Sequence, residues 1–218
     1  PRAARAREMA LSKLSGDEQG IILGQLRNTL EPRLAMYFSS ASTELRVLLT
    51  PAVRQQLRAD YEAAAALCRK MGMRSCKALR EATKVVWYNE YLSTADLSTL
   101  ATLGSVLPAL EWLTLRESSG AAGLDGVQRL TEGLAAGALL RLAHLAISGM
   151  HVGDAGALAL TAALDRGALP RLKTLDLNYA AIGDAALLAL APALRRRPAL
   201  ERLSLMDNPF GDEGLPAS

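Results

Sequence analysis

The pattern Leu-x-x-Leu-x-Leu, returning at a nearly fixed step, constrains the fold of this chain more than any other feature. Copies stand at Leu110-Leu113-Leu115, Leu142-Leu145-Ile147, Leu172-Leu175-Leu177 and Leu200-Leu203-Leu205. In the last three, another apolar residue follows five positions later: Val152, Ile182 and Phe210. Each leads into a Gly-Asp pair, Gly153-Asp154, Gly183-Asp184 and Gly211-Asp212. The first positions, 110, 142, 172 and 200, are 32, 30 and 28 residues apart. Counting back 28 from Leu110 reaches Ala82-x-x-Val85-x-Trp87, with Leu92 five residues further on, so a fifth unit is expected ahead of the four obvious ones. The longer step of 32 is assigned to extra residues in the loop 117–123, because the entropy of closing a loop grows slowly with its length.

Two periods alternate within a unit. Leu113 and Leu115 share one side of a short strand, and Trp112, Thr114 and Arg116 take the other. After the loop the apolar period becomes helical, predicting inward faces Val127-Leu130-Leu134, Leu158-Leu160-Leu164 and Leu187-Leu190-Leu194. One strand and one helix cannot bury their own apolar face, so successive units must stack. The expected fold is α/β: a short solenoid of about five strand–helix units, its parallel sheet on the concave face. Ala157, Ala159, Ala162, Ala163, Ala185, Ala186, Ala189 and Ala191 are expected to let the helices pack closely. Gly137 and Gly167 are placed at helix C-termini, and in each Gly-Asp pair the Asp is expected to cap the following helix.

On these residues the stretch of roughly 80–215 resembles the leucine-rich repeats of the ribonuclease-inhibitor-like class, with units near 28 residues. In the best-matched unit, Asn208 falls where that family places an Asn that hydrogen-bonds the turn backbone. The equivalent positions elsewhere hold Glu90, Ser118, Met150 and Ala180, so no continuous Asn ladder is expected. The resemblance implies a binding surface in place of an active site.

The segment before the repeats reads differently. Residues 1–14 form a basic leader and 15–81 an all-helical N-terminal cap over the first edge of the solenoid, with the repeats at 82–218. Predicted helices cover 17–30, with Ile21, Ile22, Leu26 and Leu30 on one side, then 33–38 and 42–49. Thr50-Pro51 supplies an N-cap hydroxyl and a Pro at the first helical position, starting a helix that runs to about Met71 and ends at Gly72. Ser75 then caps a helix through Glu81. Residues 26–49 are also distantly similar to an F-box, which implies an alternative role as a substrate receptor of a ubiquitin ligase.

Composition narrows the classes. Residues 1–100 hold 15 Lys/Arg against 10 Asp/Glu, and residues 101–218 hold 10 against 12. The excess, densest at Arg2, Arg5 and Arg7 and joined by Arg69, Lys70, Arg74, Lys77, Arg80 and Lys84, is too small to suggest nucleic-acid binding. It leaves peripheral contact with an anionic membrane surface open. No apolar run reaches the ~20 residues of a membrane span. The Arg/Ala-rich opening is compatible with the tail of a transit peptide, so the expected setting is intracellular, either cytoplasmic or organellar. The fifth unit carries a strand and loop, which puts Leu203 and Leu205 near an open sheet edge.

Catalytic spacings are not found. Cys68 and Cys76 are expected to be reduced structural residues. His144 and His151 make a poor metal pair, and no cofactor is expected. Function is therefore sought on the exposed face of the strands, where the register gives three rows: Lys84-Trp112-His144-Thr174-Arg202, Val86-Thr114-Ala146-Asp176-Ser204 and Tyr88-Arg116-Ser148-Asn178-Met206. The residues expected to contact a protein partner, within a larger assembly, are Lys84, Tyr88, Trp112, Arg116, His144, Asp176, Asn178 and Arg202. Trp112 is the first choice, because Trp, Tyr and Arg tend to dominate binding energy.

Overall fold

The computed structural model describes residues 15, 18, 28–41, 49–88, 91–116, 123–135 and 139–211. The basic leader, the loop 117–122, Gly137 and, of the F-box-like stretch, residues 26–27 and 42–48 lie outside them. The chain divides into two compact units, 1–66 and 67–218, with the division inside a long helix.

In the first unit, helix α1 spans Arg33–Ala41 and α2 spans Pro51–Lys70. The Thr50 hydroxyl accepts from the Val53 N–H, as the Thr-Pro signal predicts. Ala35, Leu49 and Leu57 form a small core flanked by Val53. The expected helix 17–30 does not reach its predicted end. Residues 28–30 make a turn, because the Asn28 side chain accepts from the Leu30 N–H and the Asn28 carbonyl from Glu31. Helix α1 runs three residues beyond its predicted end at 38.

The second unit begins inside α2. Leu67, Cys68, Cys76 and Leu79 are buried, and α3 (Cys76–Glu81) follows the left-handed turn at Gly72 with Ser75 as its cap. The strands are β1 (Lys84–Tyr88), β2 (Trp112–Arg116), β3 (His144–Ser148), β4 (Thr174–Asp176) and β5 (Arg202–Ser204). They form one parallel sheet in chain order. Helices α4 (Thr94–Leu103), α5 (Gly123–Ala135), α6 (Gly153–Asp165) and α7 (Asp184–Arg195) follow the first four strands and pack on one another in sequence. Val85, Leu113, Leu145 and Leu175 form one buried row, and Trp87, Leu115, Ile147 and Leu177 a second. Burial fades in the fifth unit, where Leu203 is 42% exposed.

Every junction into a strand is built alike. A turn closes Leu110 N–H onto the Leu107 carbonyl, and Leu142, Leu172 and Leu200 repeat it onto Leu139, Leu169 and Arg197. From β2 to β5 the two N–H groups that open the strand then share one carbonyl of the preceding unit: Glu111 and Trp112 use Thr83, Ala143 and His144 use Glu111, and so on through Lys173. Helix α4 opens with a reciprocal Ser93–Asp96 capping box, and Lys70 holds Asp96 at 2.6 Å. Burial opposes ionisation of Asp96, but Lys70 and the Ser93 donors outweigh it and keep its carboxyl below the usual range.

Three helix expectations need correction. Leu158 is 47% exposed while Leu160 and Leu164 are buried, because residues two apart lie on nearly opposite sides of a helix; Ala157 takes the inward place. Of the eight alanines, only Ala157, Ala163 and Ala186 are buried. Close helix approach comes instead from glycine. A Cβ added at Gly133 would lie 2.5 Å from the Ala101 Cβ and 2.9 Å from its Cα, and one at Gly126 would lie 3.0 Å from the Thr94 Cα. Lastly, Asp154 and Asp184 do not cap their own helices. Asp154 accepts from the Gly183 N–H at 2.7 Å and Asp184 from the Gly211 N–H at 2.8 Å, so each carboxylate reaches into the next unit.

Candidate functional site

The strand face away from the buried rows has a shape set by the sizes of its three residue rows. The middle row is small: Thr114 and Ala146 are buried, and Val86 is half-buried. The flanking rows are large. Lys84, Trp112 and His144 stand on one side, and Tyr88 and Arg116 on the other, giving a cleft of about 460 Å³ that crosses β1 to β4. Adjacent rows are two residues apart, so the two rims are separated by roughly 13 Å along the strands. The register is the one the repeat period predicts: Lys84, Trp112, His144, Thr174 and Arg202 are aligned across the sheet, the middle row follows through Ser204, and the third row is paired from Tyr88 to Ser148.

One rim is a layered stack. The Trp112 indole lies on the His144 imidazole with ring centroids 3.6 Å apart and planes 15° from parallel, and the Lys84 ammonium sits 4.7 Å from the indole centroid. The indole N–H also donates to the Thr114 hydroxyl at 2.9 Å, which pins the ring over the floor of the cleft. Three contacts therefore hold a side chain that remains 39% exposed. Burial pushes His144 below the usual imidazole range. Lys84 and Arg202 push it further down, and Asp176 works against them. On the opposite rim Tyr88 is 56% exposed and Arg116 is exposed.

Asp176 and Asn178, also expected to contact a partner, are half-buried and occupied by neighbours in the fold. The Asp176 carboxylate accepts from the Ser148 hydroxyl and the Asn178 N–H, both at 3.0 Å. The Asn178 side-chain oxygen accepts from the Ser204 hydroxyl and the Met206 N–H. Asp176 lines the β4 side of the cleft, and Asn178 ties the end of β4 to the fifth unit. Asn208 behaves as the sequence suggested: its Oδ1 accepts from Ala180 and Ile182 N–H groups, and its Nδ2 donates to the Leu177 and Leu205 carbonyls. At the positions expected to lack this Asn, Met150 and Ala180 are buried apolar side chains.

The two cysteines are closer than their sequence spacing suggests. Their thiols lie 3.9 Å apart, buried across the Gly72 turn, and burial followed by the neighbouring Cys76 pushes Cys68 up to about 12. His151 is an exposed loop residue. Among the described residues, no cluster of His, Cys, Asp and Glu could hold a metal ion, and no helix is long and apolar enough to cross a membrane.

Residues 169–191 and 198–217 match the family model for Leucine Rich repeat. These matches support a leucine-rich repeat protein. They fall on β4 with most of α7 and on β5 with its turn, the two places where Asn208 and Asp184 tie adjacent units together. Repeats of this family generally mediate protein–protein interaction and are typically non-catalytic. No curated protein matches the chain.

Proposed function

We propose that this chain is a non-catalytic interaction subunit: a short solenoid of the ribonuclease-inhibitor-like kind that holds a segment of a partner protein in the cleft between its Trp112 and Tyr88–Arg116 rims. The last turn of α2 together with α3 acts as the helical cap ahead of β1, and the partner belongs to a larger assembly in which the chain is a scaffold. The observation that carries the reading is the rigidly held, half-exposed Trp112. An indole fixed by His144, Lys84 and Thr114 loses little conformational freedom on binding, and Trp, Tyr and Arg are the residues that dominate interface energies. Lys84, Tyr88, Arg116 and His144 complete the contact set, and Arg202 extends it across the sheet. Asp176 contributes by lining the cleft, and Asn178 by tying the end of β4 to the fifth unit.

The test is affinity capture with the wild-type chain and with Trp112→Ala, Arg116→Ala and the double variant, followed by quantitative mass spectrometry. A partner lost from the double variant, and retained by a chain altered at the exposed helix residue Leu158, supports the reading. Equal recovery of every partner by all variants sinks it.

A further inference from the structure

We infer that the segment bound in this cleft is acidic, an extended peptide whose carboxylates meet a cation on each rim. The inference rests on the protein-binding reading above and adds the chemistry of the partner. It starts from an imbalance. Elsewhere in the repeats, three cations that reach across units meet carboxylates, Arg141 with Glu111, Lys173 with Glu201 and Arg196 with Asp165, while Arg197 meets the Leu164 carbonyl. Among the described residues, Lys84, Arg116 and Arg202 have no carboxylate within ion-pair distance, although all three are exposed on the open face.

One carboxylate lines the cleft, Asp176 in the middle row, with its Oδ1 held by Ser148 and Asn178; against Lys84 and Arg116 it leaves the lining with a net positive charge, two cations to one anion. His144 feels both signs of charge: burial lowers it first, Asp176 raises it, and Lys84 and Arg202 lower it. Lys84 stands on one rim and Arg116 on the other, in adjacent strands, so a chain lying along the small-residue floor passes between two positive charges. The floor itself, Val86, Thr114 and Ala146, offers apolar contact and little hydrogen-bonding capacity, which suits the methylene stems of Glu better than a bare phosphate. The face therefore matches a carboxylate-bearing peptide by charge and by shape.

The experiment selects peptides from a random twelve-residue display library on the immobilised full chain. Synthetic versions are then measured by fluorescence polarisation against wild type, Trp112→Ala, Lys84→Glu and Arg116→Glu. The expected result is enrichment of Asp and Glu, and affinity falling about tenfold for each charge reversal and on raising salt from roughly 0.05 to 0.3 M. A Lys84→Glu, Arg116→Glu chain put through the same selection should enrich Lys and Arg instead, a switch that a merely damaged fold would not produce. Neutral or basic peptides that still lose binding on Trp112→Ala would overturn the acidic assignment and leave the cleft as the binding site. Failure to select any peptide sensitive to Trp112→Ala would overturn both. An oligothymidylate that binds as tightly as the acidic peptides, with the same sensitivity to Arg116→Glu, would also overturn it, in favour of a nucleic-acid partner.

Discussion

Replacing Gly133 by Ala sets two known effects against each other, and the geometry decides between them. In an open helix, the change would stabilise by roughly 0.5–1 kcal/mol, because Ala loses less backbone freedom on folding. Here the new Cβ would stand 2.5 Å from the Ala101 Cβ, 2.9 Å from its Cα and 3.0 Å from its carbonyl oxygen. Carbon atoms prefer about 3.5–4.0 Å, so α4 and α5 would have to part by about 1 Å. The obstacle is largely backbone, which no rotamer can move aside. Overpacking of this kind costs about 1–3 kcal/mol, so the net expectation is a loss of about 1–2 kcal/mol. For a unit of this size that lowers the midpoint by roughly 3–6 °C. Thermal and urea unfolding followed by circular dichroism measures it. Gly126→Ala, with its nearest contact at 3.0 Å, should cost less. Adding Ala101→Gly to Gly133→Ala should recover part of the loss, beyond the sum of the single changes. A Gly133→Ala chain that melts higher than wild type would refute the close approach of these helices.

Two further outcomes follow from the site. Asn208→Ala removes two acceptor and two donor contacts to half-buried backbone, and should cost about 2–4 kcal/mol. Hydrogen exchange should report the loss first at Ala180 and Ile182, and unchanged protection there would contradict the geometry. His144, held down by burial, Lys84 and Arg202, should titrate at higher pH in Lys84→Ala and at lower pH in Asp176→Asn, as read from its imidazole NMR resonances. The sign for stability follows from the same depression. The folded state binds fewer protons than the unfolded state below about pH 6.5, so stability falls as pH drops through that window, and Lys84→Ala narrows it. No difference between Lys84→Ala and wild type would exclude Lys84 as a source of the field.

What the sequence made legible was whatever depends on period. Val85 and Trp87 could be placed in the first unit despite lacking leucine, because a parallel sheet in chain order forces one register on every strand, and the three open-face rows followed from it. Contacts between units were not legible in the same way. A carboxylate at 154 reads locally as a helix cap, and only the stacking brings the Gly183 N–H, 29 residues away, to its oxygen. Gly126 and Gly133 carry no signal until a neighbouring helix is in place. The cleft was half visible. Its rim residues had been singled out, but the small middle row of Val86, Thr114 and Ala146 has meaning only as the floor between two larger rows. Asp176 and Asn178 have the chemistry of contact residues, but their own neighbours already engage them.

The bonds from Asp154 to Gly183 and from Asp184 to Gly211 are the same bond made twice, each pointing towards the higher residue number. Because donor and acceptor belong to different units, neither unit is complete alone, yet any unit of this type completes any other. Excising one whole step between them would bring Asp154 opposite Gly211 with no orphaned N–H, and duplicating one would create a third identical bond. Such a joint would let the number of strand–helix steps, and with it the length of the open strand face, change while this bond between neighbours stays the same.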